Sequence, residues 1–317
     1  MPQIFSALKT AHDKLTIGTV NFGMPYGTAP GSGQVLAEEA AAIVVSALEK
    51  GIDRFDTAIG YGTAEDVVGK ALAKAKVSDA KVVTKILPLS GKMLDEAGAT
   101  GIVEQVHQAR DRLGVQQLDA VLVHRTADLI EPQGLQLWDV LRRVRDKGLV
   151  RKVGVSVYDA SDIDAILKRF DPDVMQLPIS IADQRLIRSG HLQKLAERGV
   201  EVHARSVFLQ GILLDGLDAV DAIFDRASTE IAALNVVAQR RGVSRLALCL
   251  SFVAQLPQVS QVVVGVNSTD QFDAIVAAAA RSIETNASET DACAWKDEQL
   301  LNPSHWPHLK SAVLSEV

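Results

Sequence analysis

The sequence predicts a closed (β/α)8 TIM barrel with an extra helical segment and a tail near its C-terminal end. Three observations lead there. Eight short runs rich in Val, Ile and Leu alternate with longer runs of helical periodicity, the order expected of a barrel or, less readily, of a doubly wound open sheet. The apolar runs show little strict alternation, as befits strands covered on both faces of a parallel sheet. No Gly-x-Gly-x-x-Gly follows the first run, which weakens the open-sheet alternative.

The predicted strands are "LTIGTV" (15–20), "RFDTA" (54–58), "KVVTKI" (81–86), "LDAVLVH" (118–124), "RKVGVSV" (151–157), "VMQLPIS" (174–180), "EVHARSV" (201–207) and "QVVVGV" (261–266). Helices fall between them. "AEEAAAIVVSALEKG" (38–51) has apolar residues at helical spacing and a terminal Gly where a C-terminal stop belongs. "TAEDVVGKALAKA" opens on Thr63 as a candidate N-cap, with acids in its first turn, which suits the positive end of a helix. "VEQVHQARDRLG", "LQLWDVLRRVRDKG" and "HLQKLAERG" each end in basic residues and a Gly. Two helical runs, "TEIAALNVVAQRRG" and "SRLALCLSFVAQ", follow the seventh strand, and "STDQFDAIVAAAA" follows the eighth. "GTAPGSG" (27–33) is only a Gly-rich loop, and "GTAEDVVGK" has the wrong spacing for a P-loop. Beyond residue 282 the chain is polar and irregular, read as a tail crossing one barrel face. Residues 1–317 are expected to form one domain.

Composition narrows the function. The 317 residues are 47% hydrophobic and 23% charged, with a formal net charge of −6. A mildly acidic chain without long basic runs argues against nucleic acid and anionic membrane as partners. No stretch approaches the roughly 20 apolar residues of a membrane span. "MPQIFSALKTAHDKL" lacks the features of a secretion signal, so a cytoplasmic protein is expected. Cys249 and Cys293 support no disulfide framework or Cys-based metal site, and Cys249 within "LALCLSF" reads as a small buried hydrophobe. The acceptor patterns at Asn267 and Asn286 carry no weight without secretion.

In such barrels the C-terminal strand ends face the active site. The second strand ends near Asp56, the third at Lys85 and the fourth at His124, while Tyr61 lies in the loop after the second. Four titratable side chains on adjacent strand ends therefore share one mouth. A Lys ammonium beside a Tyr favours phenolate, and Asp56 can keep that Lys charged. Tyr61 then serves as a proton donor to a developing alkoxide, with His124 orienting a substrate oxygen. Such a site suits carbonyl reduction, for which no side chain supplies the hydride. Taken singly, Asp56 can cap a strand end, Tyr61 can anchor a loop and His124 can be satisfied by backbone. His191 and His203 read as structural or surface residues.

At this point the sequence resembles the aldo-keto reductases. "FDTAIGYGTAEDVVGKAL" is much like their second-strand motif, and the likeness continues in "GTVNFG" (18–23), "VVTKI" (82–86), "LDAVLVHR" (118–125), "GLVRKVGVSV" (148–157), "MQLPIS" (175–180), "RSVFLQGILL" (205–214) and "VVVGVNSTDQFDAI" (262–275). The resemblance implies a tetrad of Asp56, Tyr61, Lys85 and His124, with NADP as cofactor and NAD as its alternative. It puts the nicotinamide against Gly18, Thr19, Asp56, Ser156, Gln176 and Arg205, and the pyrophosphate near Ser206, Phe208, Gln210 and Gly211. It puts the adenosine phosphate near Gly265, Asn267, Ser268 and Gln271, where a helix N-terminus favours anions.

The chain departs from the family pattern at the cofactor. Val157 replaces an Asn that often clamps the nicotinamide amide, and Arg205 replaces an aromatic residue that often stacks on the ring. Asn267 and Gln271 stand where basic residues often hold the 2′-phosphate, and Ala274 and Ile275 where an acid–amide pair often holds adenine. Expected substrate contacts are Asn21, Phe22, Tyr26, Arg125, Tyr158 and Trp306, for a small carbonyl or alcohol. Arg125 and Arg205 near one mouth would welcome an anionic substrate. Arg205 reads equally well as a ligand contact or a rim ion pair. The altered cofactor positions also fit a nicotinamide-binding sensor with little turnover. A Schiff-base aldolase using Lys85 is a third reading, opposed by the neighbouring Asp56 and Tyr61.

Overall fold

A computed structural model of the chain describes residues 10–27, 33–89, 91, 93–214, 222–281, 283–285 and 287–306. Asn286 and residues 28–32 of the Gly-rich loop lie outside the described residues. Eight parallel strands close in sequence order: β1 (Leu15–Gly18), β2 (Arg54–Asp56), β3 (Lys81–Ile86), β4 (Leu118–Val123), β5 (Val150–Ser156), β6 (Val174–Pro178), β7 (Glu201–Arg205) and β8 (Val259–Gly265). β1 pairs with β8 at Gly18 and Gly265, so the sheet has no edge and the open-sheet alternative falls. Seven of the eight predicted strands end one or two residues earlier at the upper rim, because their ends pass into the mouth loops, whereas β3 ends at Ile86 as expected.

The main helices are α1 (Ala37–Glu49), α2 (Ala64–Lys74), α3 (Glu96–Leu113), α4 (Gly134–Asp146), α5 (Ala160–Leu167), α6 (His191–Glu197), α7 (Ser228–Arg241), α8 (Arg245–Ala254) and α9 (Thr269–Ala279). Local chemistry fixes several ends. Asp95 accepts from the Gly98 N–H and caps α3, whose last turn stops at the left-handed Gly114, as a Schellman-type end requires. Thr63 occupies the cap position of α2 but its side chain makes no capping bond; its N–H instead reaches the Gly23 carbonyl. The sequence reading missed α5, although Asp159 caps it through the Asp162 N–H at 3.0 Å. The tail packs against the segment leaving β6, where the Trp295 N–H donates to the Ala182 carbonyl. Trp306, expected at the substrate, is buried away from the mouth, edge-on to Phe224 at 5.0 Å with its indole N–H on the Leu300 carbonyl.

Strand periodicity positions everything that follows. Val82, Val121 and Val123 join the large core under the helices, whereas Val83, Ala120, Leu122 and Val174 form a separate small cluster. Side chains alternate faces along a strand, so this second set fills the barrel interior. Two residues on from Val83, Leu122 and Val174 come Lys85, His124 and Gln176, all aimed inward above the apolar layer. Asp56 pairs with Val83 and shares its face.

Below that layer the floor is polar. Glu201 accepts from Lys152 at 2.7 Å, from His203 Nε2 at 2.8 Å and from Gln261 at 3.1 Å. Gln261 accepts in turn from Thr16 at 2.8 Å. Burial pushes the Glu201 carboxyl up, but the hydrogen bonds from His203 and Lys152 outweigh it and hold the group at about 2, against an ordinary 4.5. A carboxyl depressed in the folded state contributes stability that is complete above its unfolded value and fades as pH falls toward the folded one. Glu201→Gln should therefore cost about 2 kcal/mol at pH 7. Denaturant midpoints measured across the acid range should show the gap narrowing below pH ~4; a gap independent of pH would show that the charge is not what holds the floor.

Candidate active site

The loop after β2 carries Tyr61, and two glycines set its path. Gly62 has a φ of +57°, a backbone state that side chains with a Cβ resist. A Cβ there would also lie 2.3 Å from the Gly23 carbonyl oxygen, and one on Gly23 would lie 1.8 Å from the Tyr61 carbonyl oxygen. The loop after β1 thus crosses the Tyr61 loop at a distance only glycine allows. The first turn of α2 is pinned as well. Buried Glu65 accepts from Thr84 at 2.6 Å and from Arg112 Nε at 2.8 Å, tying the Tyr61 loop to the strand that carries Lys85.

Lys85 is 1% exposed and donates to Asp56 Oδ1 at 2.7 Å and to the Thr57 carbonyl at 2.8 Å. Gln176 donates to the other Asp56 oxygen at 2.6 Å. Burial alone would strip the Lys85 proton, but Asp56 and then Tyr61 outweigh it and raise the ammonium above its ordinary value. A Lys held charged in this way cannot act as the free amine of a Schiff-base enzyme. Its Nζ lies 5.1 Å from the centre of the Tyr61 ring. His124 meets the same ring edge-on, with centroids 5.7 Å apart and planes at 80°. Burial, followed by the charge of Lys85, lowers His124 to about 4, so its imidazole is neutral at pH 7. The sequence-predicted quartet is therefore one contact group.

Asp56 and Tyr61 of this group line a cavity of about 450 Å³, while Lys85 and His124 are not part of its lining. Of the residues predicted to line it, Gly18, Thr19, Asn21, Tyr26, Asp56, Tyr61, Gln176, Arg205, Ser206, Phe208, Gln210, Gly211, Gly265, Asn267 and Gln271 do so. Ser156 and Ser268 do not: Ser156 offers its carbonyl to Thr126, and Ser268 caps α9 through the Gln271 N–H. Phe22 is fully buried in the core, because the short helix after β1 turns its ring inward. Arg125 is engaged by Asp128 at 2.9 Å and Glu131 at 3.5 Å, so it is no open anion contact. Tyr158 lies beneath Arg205, whose guanidinium carbon is 4.2 Å from the ring centre. Arg205 donates to the Val157 carbonyl at 3.1 Å and has no carboxylate partner among the described residues. Val20, Val207, Leu214, Leu246, Val263 and Val264 also line the cavity; nothing in an apolar run distinguishes such residues from core. A larger cleft of about 660 Å³ lies beside Arg185 and Trp295. Its cations Arg185, Arg188 and Lys296 already face Asp183, Asp291 and Glu230, and no member of the quartet lines it.

The turn after β7 suits a phosphate-bearing ligand. Ser206, Leu209, Gln210 and Gly211 have φ of 60°, 45°, 55° and 95°. Left-handed residues in such a turn form a concave cup of N–H groups, and backbone strain of this kind persists where the surroundings enforce it. Among the described residues the Val207 and Phe208 N–H groups, both in the cavity lining, donate to no acceptor.

A closed (β/α)8 barrel with titratable groups gathered at its carboxyl strand ends has the layout of a barrel enzyme. The chain belongs to the aldo/keto reductase family, whose model matches residues 14–294. Members of that family are NAD(P)H-dependent oxidoreductases acting on carbonyls. An aldo-keto reductase of Mycolicibacterium vanbaalenii is 33% identical over 202 residues, 62% of this chain and 67% of that one. The chain spans 67%, 56% and 54% of the length of three curated relatives it matches. Among solved structures, the holo form of aldo-keto reductase AKR11C1 from Bacillus halodurans superposes with a TM-score of 0.69 at 22% identity, covering 92% of this chain and 94% of that one. A Klebsiella pneumoniae aldo/keto reductase in complex with NADP and acetate gives 0.63 at 22% identity, covering 92% of each chain. At this identity the structural likeness speaks to the fold.

Because Gly62 combines a positive φ with contact to Gly23, Gly62→Ala should displace Tyr61 while leaving the barrel intact. Turnover should fall by about 10²-fold with dinucleotide affinity within about twofold. Full turnover in this variant would show that the loop's path does not set the phenol's position.

Proposed function

We propose that this chain interconverts an aldehyde, ketone or sugar carbonyl and the corresponding alcohol, with Tyr61 as general acid in reduction and general base in oxidation. The packing of Tyr61 against both the buried Lys85–Asp56 pair and a neutral His124, at the head of the cavity, carries this reading. A bound nicotinamide dinucleotide supplies the hydride that no side chain can. Its phosphates would meet the cup after β7, and its redox end the tetrad side of the cavity, near Gly18, Thr19 and Arg205. The family resemblance implies NADP, with NAD as the other form. The partners are small molecules rather than nucleic acid or membrane, and the working compartment is the cytoplasm. Among the described residues no helix is long and apolar enough to cross a membrane.

The proton chemistry belongs to the chain. As negative charge develops on the carbonyl oxygen, the Tyr61 hydroxyl passes its proton to it. The Lys85 ammonium stabilises the phenolate left behind, and Asp56 keeps Lys85 charged in a place where burial would neutralise it. Gln176 holds the second Asp56 oxygen, so the carboxylate stays aimed at Lys85. Neutral His124 keeps one N–H with which to orient the carbonyl.

Tyr61→Phe should lower the turnover of carbonyl reduction by about 10³-fold while dinucleotide binding, followed by fluorescence titration, stays unchanged. Retained turnover would remove Tyr61 from its assigned role. Dinucleotide binding by the wild type without turnover on a broad carbonyl and alcohol panel would favour the sensor reading instead. The state of His124 makes a separate prediction. Because protonation is delayed to about 4, the single-turnover rate of reduction should show no titration near the ordinary histidine value of ~6.5. A rate that halves there and loses that feature in His124→Gln would mean the imidazole works in its charged form.

A further inference from the structure

We infer that the side of the cavity formed by α9 selects NAD(H) over NADP(H), an inference resting on the proposed reductase reading. The hydride must arrive beside a carbonyl within reach of Tyr61, so the nicotinamide sits on the tetrad side and the adenosine half extends toward α9. NADP(H) differs only by a phosphate on that half, about two negative charges. The lining there consists of Gly265, Asn267, Gln271, Ala274 and Ile275, with no cation among them. Arg205 is the sole Lys or Arg of the described lining, and it stands on the tetrad side. Lys50, the cation beside α9, is ion-paired with Asp273 at 3.1 Å, lies over the Phe272 ring and is not part of the lining. Residues 28–32 and 215–221, which follow the lining residues Gly27 and Leu214 in the chain, contain no Lys or Arg.

The helix end compensates only in part. A free helix N-terminus attracts anions through its unpaired N–H groups, as the family resemblance implies for this site. Here three of those groups, the N–H groups of Asn267, Thr269 and Gln271, are taken by the chain itself, while those of Ser268 and Asp270 donate to no acceptor among the described residues. Gln271 Oε1 accepts from the Asn267 N–H at 3.0 Å, Ser268 Oγ accepts from the Gln271 N–H at 3.2 Å, and Glu39 Oε1 accepts from the Thr269 N–H at 2.6 Å and its hydroxyl at 3.1 Å. The Glu39 carboxylate thus answers the positive end of α9 from within the protein. Glu39 itself is not part of the lining, so its negative charge acts from behind the helix end, where it disfavours an added phosphate more than a ribose hydroxyl.

The test is calorimetric titration of the full chain with NADH and with NADPH, which reads binding rather than turnover. Wild type should bind NADH at least about tenfold more tightly. Asn267→Arg should strengthen NADPH binding relative to NADH binding by about tenfold or more, with its melting curve confirming the fold. Glu39→Gln should move NADPH in the same direction by a smaller factor. Equal or tighter NADPH binding by wild type would overturn the inference. So would a folded Asn267→Arg variant with unchanged NADPH affinity, because the discriminating residues would then lie elsewhere. Binding of neither dinucleotide would overturn the reductase reading itself, and the selectivity with it.

Discussion

The buried ion pair between Lys85 and Asp56 is the constraint around which the mouth is arranged. Two charges so far from water are tolerable only when each has its partner and its remaining hydrogen bonds. Here the Asp56 oxygens are divided between Lys85 and Gln176, and Lys85 adds the Thr57 carbonyl. Every one of these partners comes from a strand or the residue after it. A slip of one residue in β2, β3 or β6 would turn a charged or amide side chain out into the helical layer. The register that closes the barrel and the register that completes the pair are therefore the same requirement. Tyr61 and His124 add their rings to this fixed point, and its charge helps to keep His124 neutral. Lys85 disfavours a charged His124 and stands ready to favour a charged phenolate.

The same logic orders the barrel interior from bottom to top. The floor is a hydrogen-bonded polar layer around Glu201, the middle is four small or branched apolar side chains, and the top is the pair with its neighbours. The apolar layer keeps the two polar layers apart and dry. It is thin because Gly154 stands opposite Val174: a Cβ on Gly154 would come within 1.9 Å of the Val174 carbonyl oxygen. The rim is built differently. Asn21 uses its amide to hold the Tyr26 and Gly33 carbonyls at 2.7 and 3.2 Å, which shapes the loop after β1. Across the cavity that loop meets the turn after β7 through a bond from Gln210 to the Tyr26 hydroxyl at 3.1 Å.

Strand identity was legible because buried parallel strands write themselves as Val/Ile/Leu runs, and the quartet was legible because its members interrupt those runs at the C-terminal ends. Asp56, Lys85 and His124 each stand two residues beyond, or in register with, an inward apolar residue, so a period of two is enough to find them. What the sequence could not reveal depends on partners distant in the chain. Gln176 reads as a lone amide in a strand, and only the closed sheet brings it to Asp56 over 120 residues away. Arg125 looks like an open cation until Asp128 and Glu131 fold back on it, and Phe22 looks like a pocket aromatic until the short helix after β1 buries it. The start of α9 shows the same limit most sharply. Its N–H groups look available in sequence, but the acid that engages Thr269 comes from α1, 230 residues earlier.

This difference between wall and rim has a physical consequence for how the molecule divides its tasks. Asp56, Lys85 and Gln176 sit on strands whose positions are set by a closed hydrogen-bonded sheet, so moving Lys85 or Asp56 means breaking the barrel. Part of the cavity wall, including Tyr26 and Gln210, sits on loops held by individual neutral hydrogen bonds, each worth about 1 kcal/mol. The Gln210–Tyr26 bond bridges two such loops over the cavity and can open at that modest cost. Substitution at Asn267 or Tyr26 can therefore retune what is bound without disturbing the Lys85–Asp56 pair, whereas substitution in the walls changes both together. The departures from the family pattern gather at the cofactor and rim positions, and the quartet is intact. That is the distribution expected when the chemistry is held by register and the choice of ligand by loops.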